Sequence, residues 1–116
     1  MKFLCLAYLD RGLAPPAGVA ADYGVLGEAM RAAGVFVDSG QLSPSNASKL
    51  VRVSGGQAEV GDGPPPGTGQ APTAFFVIDC PDLTAALDWA ARIPAATYGS
   101  IEVRPPRWAH QQHPGL

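Results

Sequence analysis

The chain has 116 residues, of which 47 % are hydrophobic and only 16 % charged, and its net charge at pH 7 is −2. This length fits one domain with a single core. Its eight basic residues form no stripe, so nucleic acid is not expected as a partner. A typical soluble domain carries about 25 % charged residues. With so few charges to cover its apolar surface, the chain is expected to self-associate.

The N-terminal segment indicates a cytoplasmic protein without a membrane segment. The apolar run 3–9 is too short to cross a bilayer, and no small-residue cleavage pattern follows it. Cys5 and Cys80 lie in or beside apolar runs, which favours buried, inert thiols. His110 and His113 are only two possible ligands, so we expect neither a metal nor a cofactor.

The first part of the chain predicts a strand, a helix and a second strand. Residues 1–9 are apolar on both faces, as in a strand covered on both sides. Residues 17–33 carry one helical apolar stripe at spacings of four, three and four, formed by Val19, Tyr23, Leu26 and Met30. Gly24 and Gly27 weaken this helix by about 1 kcal/mol each; they either allow close helix–sheet approach or are tolerated. Residues 35–42 predict the second strand.

The middle of the chain predicts a hairpin and a long loop. Residues 49–54 form a third predicted strand, and 57–60 can pair with it across Gly55 and Gly56. Residues 61–73 are rich in glycine and proline. We expect them to form a long loop that is a lid, a binding loop or disordered.

The last part predicts a strand at 74–78, a helix at 81–93 and a strand at 100–104. Asp79 or Asp82 can cap the helix, and Pro94 stops it. Its predicted buried stripe consists of Leu83, Leu87 and Ala90, joined by Ala86 and Ile93. The domain is predicted to span 1–105, followed by a loose tail, 106–116.

This order predicts an α+β fold with the ferredoxin-like split βαβ layout, in which two helices cover one face of an antiparallel sheet. The opposite face would carry apolar side chains from the first strand and from 74–78. We therefore expect a homodimer packed sheet to sheet.

Several segments together resemble the YCII-related family, specifically its subgroup named for an Asp-Gly-Pro-Phe (DGPF) motif. The matching segments are Tyr23-Gly24, Arg31-Ala32-Ala33-Gly34-Val35, Val51-Arg52-Val53, Asp62-Gly63-Pro64, Phe76-Val77-Ile78-Asp79, Asp82-Leu83, Trp89-Ala90-Ala91-Arg92-Ile93-Pro94-Ala95-Ala96 and Glu102-Val103-Arg104-Pro105. The resemblance implies a dimeric α+β barrel with a pocket between the sheet and the first helix or the partner subunit. The fourth motif residue is Pro65 instead of Phe, and Tyr23 stands where related proteins place a His.

Five residues are candidates for chemistry. Tyr23 and Tyr8 are either core tyrosines or donors to an oxyanion. Asp38 either is solvated or acts as a base in a cleft. Asp62 either makes a turn or is presented to a ligand, and Arg52 could bind a carboxylate if it faces a cavity.

Two functions fit these features. The first is a cofactor-free isomerase, lyase or cyclase acting by proton transfer on an apolar or aromatic metabolite, such as secondary metabolism supplies. Asp38 or Asp62 would be its base and Tyr23 its donor; the pocket residues would be Phe3, Tyr8, Tyr23, Phe36, Arg52 and Phe76. The alternative is a non-catalytic module that binds a small molecule or a regulatory partner. Polar titratable groups converging in the cavity would favour the enzyme.

Overall fold

The computed structural model describes residues 1–10 and 14–107. The tail from residue 108 onwards, including Trp108, His110 and His113, lies outside the described residues. Within the described residues, the chain forms six strands, two α-helices and two short 3₁₀ helices. In chain order they are β1 Lys2–Leu9, α1 Val19–Ala32, β2 Phe36–Gln41, the 3₁₀ helix Ser45–Ala47, β3 Lys49–Ser54, β4 Gln57–Asp62, β5 Ala74–Asp79, α2 Leu83–Ala90, the 3₁₀ helix Pro94–Thr97 and β6 Gly99–Arg104.

Four strands form one antiparallel sheet in the order β2-β5-β1-β6. Each helix connects two strands that are separated in the sheet by one strand of the other strand–helix–strand unit. This is the split βαβ arrangement, and the predicted ferredoxin-like α+β fold is confirmed.

The two faces of the sheet differ because side chains alternate along each strand. On β1, Phe3, Cys5 and Ala7 are buried among the core residues, which include residues of both helices. On the opposite face, Leu4 and Leu6 are only partly buried, and they lie opposite Val77 and Phe75 of β5. We call this surface, made of Leu4, Leu6, Phe75 and Val77, the open sheet face. The expectation that the helices cover one face only is confirmed.

Helix α1 ends at a glycine, as predicted. Gly34 has a φ of +74°, and the N–H groups of Gly34 and Val35 donate to the carbonyls of Arg31 and Met30. Such a left-handed residue after the helix satisfies the last carbonyls, and glycine adopts this conformation without a steric penalty.

Helix α2 is shorter than predicted, and part of its predicted buried stripe is wrong. Asp82 caps the helix, because its Oδ1 accepts a hydrogen bond of 2.8 Å from the Ala85 N–H. The contact with the core is made by Ala86 and Ala90. Leu83 and Leu87 are 44 % and 48 % exposed, since they lie on the flank of the stripe centred on these two alanines.

Strands β3 and β4 form a hairpin that is a separate two-stranded sheet. Gly55 and Gly56 make its turn with φ of +59° and +81°, as a two-residue hairpin connection requires. The pairing predicted for the hairpin is confirmed, but β4 continues to Asp62. The irregular segment therefore begins at residue 63, not 61.

A cavity between the first helix and the sheet as candidate functional site

A cavity of about 530 Å³ lies between α1 and the sheet. Helix α1, strand β2 and the start of β5 supply most of its lining. The remaining lining residues are Leu9, Pro15, Leu42, Thr73, Ala95 and Tyr98. This volume falls within the range of small-molecule sites, about 300–1,000 Å³.

The cavity exists because α1 carries two parallel stripes. Its bulky stripe, predicted from the sequence, places Leu26 and Met30 in the core. A second stripe follows one residue later with the same spacings of four, three and four, and all of its members line the cavity: Ala20, Gly24, Gly27 and Arg31. A Cβ placed at Gly24 would meet no atom within 4 Å. The missing side chain at Gly24 therefore leaves open space on the side of the helix that lines the cavity.

Arg31 is held at the cavity by two neighbours. Its guanidinium carbon lies 4.5 Å from the centroid of the Phe36 ring, a cation–π contact. A Cβ at Gly27 would lie only 3.2 Å from the Arg31 Nη1 atom. Gly27 thus provides the room in which the Arg31 side chain lies back along the helix.

Tyr23 provides a hydrogen-bond donor inside the cavity. Its ring stacks on Phe76 with centroids 6.1 Å apart and an interplanar angle of 11°. Burial, and to a lesser extent the hydrogen bond with the Tyr98 hydroxyl, raise the pKa of Tyr23 to about 12. Tyr98 lines the cavity too. At neutral pH Tyr23 is therefore protonated, so it can donate a hydrogen bond but cannot act as a base.

The described lining has one charged residue, Arg31, and contains no Asp, Glu, His, Lys or Cys. Ser39, Gln41 and Thr73 add neutral polar groups. The cavity can therefore enclose an apolar molecule, donate hydrogen bonds to it and present a cation. Within residues 1–10 and 14–107, no group of three His, Cys, Asp or Glu side chains is placed to hold a metal ion.

Three of the predicted pocket residues, Tyr23, Phe36 and Phe76, lie together in the lining. Phe3 does not line the cavity; it is buried in the core. Tyr8 does not line it either, because it follows Leu4 and Leu6 on the side of β1 that the helices leave uncovered. The prediction that all five aromatic residues share one pocket is therefore wrong for two of them.

Tyr8 belongs to a polar cluster on that opposite side of the sheet. Its hydroxyl donates a hydrogen bond of 2.9 Å to Glu102, which also accepts one of 3.1 Å from Arg104. The hydrogen bonds from Arg104 and then from Tyr8 lower the pKa of the Glu102 carboxyl. Since all three groups satisfy one another, the cluster is a closed network on the surface.

A β-bulge keeps Asp38 out of the cavity. Phe36 lies opposite Ile78, but Asp38 lies opposite Val77, so β2 contains one extra residue, Val37. This insertion shifts Asp38 to the open sheet face, where its Oδ1 accepts a hydrogen bond of 2.8 Å from the Ser39 N–H. The next residue, Ser39, lines the cavity instead. Of the two alternatives predicted for Asp38, a solvated carboxylate or a base in the cleft, the structure shows the exposed, solvated one.

Asp62 and Arg52 lie on the hairpin and do not line the cavity. Asp62 is exposed and accepts a hydrogen bond from Lys49, its cross-strand neighbour. Arg52 is exposed opposite Glu59. Of the segment 61–73, predicted to be a lid, a binding loop or disordered, only its last residue, Thr73, contributes to the lining.

The sequence interpretation missed Gly24, Gly27, Arg31 and Tyr98 as cavity residues. The signal was present in α1, where small residues and an arginine repeat at helical spacing beside the bulky stripe. From the sequence, the two glycines indicate either close packing or tolerated residues. Glycines on a helix face can also leave an open space. The shape of the surface that faces the helix decides whether close packing or a space results.

Fold and cavity together define a ferredoxin-like α+β domain with a small-molecule-sized space beneath its first helix. The chain belongs to the YCII-related family, whose domain matches residues 1–107. It is also 31 % identical over 113 residues to an uncharacterized protein of Rhizobium meliloti (strain 1021), covering 90 % of this chain and 91 % of that protein. None of the helices in the described parts of the chain is long and apolar enough to span a membrane.

Proposed function

We propose that this protein binds a small apolar or aromatic molecule in the cavity beneath α1. The observation that carries this proposal is the lining: aromatic rings and small residues surround about 530 Å³, with few polar groups. Such a combination is typical of ligand sites. Because no carboxylate, imidazole or thiol lies in the described lining, the geometry favours the binding module over the enzyme.

The fluorescent probe N-phenyl-1-naphthylamine tests this proposal, since it is neutral and brightens in apolar surroundings. Three proteins would be titrated: the wild type, Gly24→Leu, which fills the cavity, and Ala21→Leu. Ala21 lies on the exposed side of α1 and outside the lining, so it is the matched control. We expect the wild type and Ala21→Leu to bind equally and Gly24→Leu to lose at least about ten-fold in affinity. Equal binding by all three would contradict the proposal.

A second candidate is the isomerase, lyase or cyclase acting by proton transfer, and the Tyr23–Tyr98 pair favours it. A tyrosine whose pKa is raised to about 12 stays protonated and can stabilise a developing oxyanion. The base would have to come from outside the described lining, because Asp38 and Asp62 do not reach the cavity.

Hydrogen exchange of an enolisable aromatic ketone measures this chemistry without knowledge of the natural substrate. The α-hydrogens of 2-tetralone would be followed by NMR in D₂O with the wild type and with Tyr23→Phe. Acceleration by the wild type that Tyr23→Phe reduces about ten-fold or more would support the enzyme. An exchange rate no faster than in buffer would leave binding as the function.

We also propose that the protein is a homodimer joined through the open sheet face. Leu4, Leu6, Phe75 and Val77 form an apolar surface that the helices do not cover, and exposed apolar patches of this kind mark interaction sites. Leu6→Glu places a charge at its centre, whereas Val25→Glu changes an exposed residue of α1. Light scattering should give a dimer for wild type and Val25→Glu and a monomer for Leu6→Glu. A monomeric wild type at about 100 μM would refute the dimer.

Two finer assignments accompany these proposals. Asp62-Gly63-Pro64 at the end of β4 supports placement in the DGPF-motif subgroup. Cys5 and Cys80 are buried free thiols, which supports a cytoplasmic location.

A further inference from the structure

We infer that the ligand is an acid and that Arg31 binds its anionic group at the edge of the cavity. This inference rests on the proposed binding function and adds the chemical class of the ligand. It starts from the charge of the described lining, in which a single cation faces no anion.

Arg31 has no acidic partner in the described part of the chain. None of the ion pairs there includes it: they join Met1 to Asp79, Lys49 to Asp62 and Arg104 to Glu102. Its guanidinium carries five N–H donors, but it donates none of the side-chain hydrogen bonds found among the described residues. A positive charge left without a partner beside an apolar space attracts an anion.

Arg31 is exposed, but its guanidinium already has a contact before any ligand arrives. The guanidinium carbon lies 4.5 Å from the centroid of the Phe36 ring, and Gly27 gives the side chain its room. Stacking of this kind leaves the N–H groups at the edge of the plane available, and these can bind a carboxylate bidentately. Preorganisation of the cation lowers the entropic cost of binding the anion.

The apolar lining defines the rest of the ligand. Tyr23, Phe36 and Phe76 contribute rings, whereas Gly24 contributes open space. An aromatic or alicyclic body would occupy this space, and its acid group would reach Arg31. The ligand class is thus a small apolar anion, of which an arylacetic acid is the simplest example.

Naphthalene-1-acetate and naphthalene-1-acetamide test this inference, since they differ mainly in charge. Their affinities would be measured by titration calorimetry at pH 7.5 with wild type, Arg31→Gln, Arg31→Lys and Arg92→Gln. Arg92 is the matched control: it stacks on Trp89 at the same 4.5 Å but lies outside the lining. A carboxylate–guanidinium pair at an exposed position is expected to contribute about five- to ten-fold in affinity.

The expected result is that wild type and Arg92→Gln bind the acetate at least about five-fold more tightly than the acetamide. Arg31→Gln should abolish this preference while binding the acetamide as before, and Arg31→Lys should keep part of it. Added salt should weaken acetate binding alone. If wild type binds both compounds equally, or Arg31→Gln keeps the preference, the inference is wrong and the binding proposal stands. If neither compound binds, or Gly24→Leu binds both as well as wild type does, the proposed function fails and the inference fails with it.

Discussion

The helices of the two strand–helix–strand units, β1-α1-β2 and β5-α2-β6, cover the same face of one sheet. We call β1-α1-β2 the hollow unit, because α1 lines the cavity, and β5-α2-β6 the filled unit, because α2 does not. Helix α2 packs through Ala86 and Ala90, which are buried against the core. Helix α1 buries its bulky stripe, but beside that stripe Gly24 leaves open space at the cavity, and the Arg31 side chain occupies the room at Gly27. The difference of a few methyl groups on a helix flank therefore separates a packed unit from a binding unit.

The same contrast appears in two arginines. Arg31 stacks on Phe36 and Arg92 on Trp89, each with its guanidinium carbon 4.5 Å from the ring centroid. Only Arg31 lines the cavity. Both units thus contain an arginine–aromatic contact, but only Arg31 lies beside a cavity that could hold a ligand.

The largest effect is expected from cavity creation in the filled unit. Ile93 is 1 % exposed, so Ile93→Ala should lower the free energy of unfolding by about 2–5 kcal/mol. Val19→Ala, at the partly exposed lining of the hollow unit, should cost less than about 1 kcal/mol. Urea denaturation measures both, and equal losses would show that the two units are packed alike.

Introducing a larger side chain should also distinguish the two units. Ala86 is fully buried, so Ala86→Leu should overpack the filled unit and destabilise it by about 1–3 kcal/mol. Gly24→Leu places the same side chain in open space and removes a helix glycine, so it should not lower stability. Thermal denaturation compares the variants. A Gly24→Leu protein as unstable as Ala86→Leu would mean that the cavity closes in solution.

A smaller gain is expected from Gly24→Ala. The new methyl group meets no atom within 4 Å, and alanine favours a helix over glycine by about 1 kcal/mol. The free energy of unfolding should rise by about that amount. Ala21→Gly, on the exposed side of the same helix, should lower it similarly; a loss of stability in Gly24→Ala would show that the glycine is needed for packing.

A further effect appears only at alkaline pH. Burial raises the pKa of Tyr23 from its ordinary value of 10.0 to about 12, so the folded state holds this proton more tightly than the unfolded chain. Its contribution to stability is full below pH 10 and is lost as the pH rises through 12. Cys5, whose burial raises its pKa from 9.0 to about 11, adds a loss in the same direction. Between pH 9 and 11, Tyr23→Phe should lose less free energy of unfolding than the wild type. Urea titrations at both pH values measure these losses. Identical losses would contradict a raised pKa of Tyr23.

The fold could be predicted from the sequence because its signals are local and repeated. Doubly apolar strands, a helical stripe and a Gly-Gly turn each specify one element, and their order specifies the layout. The residues of the site were harder to predict. The sequence left open on which face Asp38 lies, because the bulge at Val37 inserts one residue and so reverses the faces of the strand. Leu83 and Leu87 were misplaced because a helix stripe with several apolar residues does not reveal which of them face the core.

NMR mapping can locate the binding of a small apolar molecule between α1 and the sheet. Backbone amide shifts of the ¹⁵N-labelled protein would be followed during titration with naphthalene-1-acetamide. We expect saturable shifts at Tyr23, Gly24 and Gly27, with Phe76 as a further responder, and little change at Ala86 and Ala90. Shifts confined to the hairpin, α2 or the open sheet face, or no saturable shifts at all, would contradict the account.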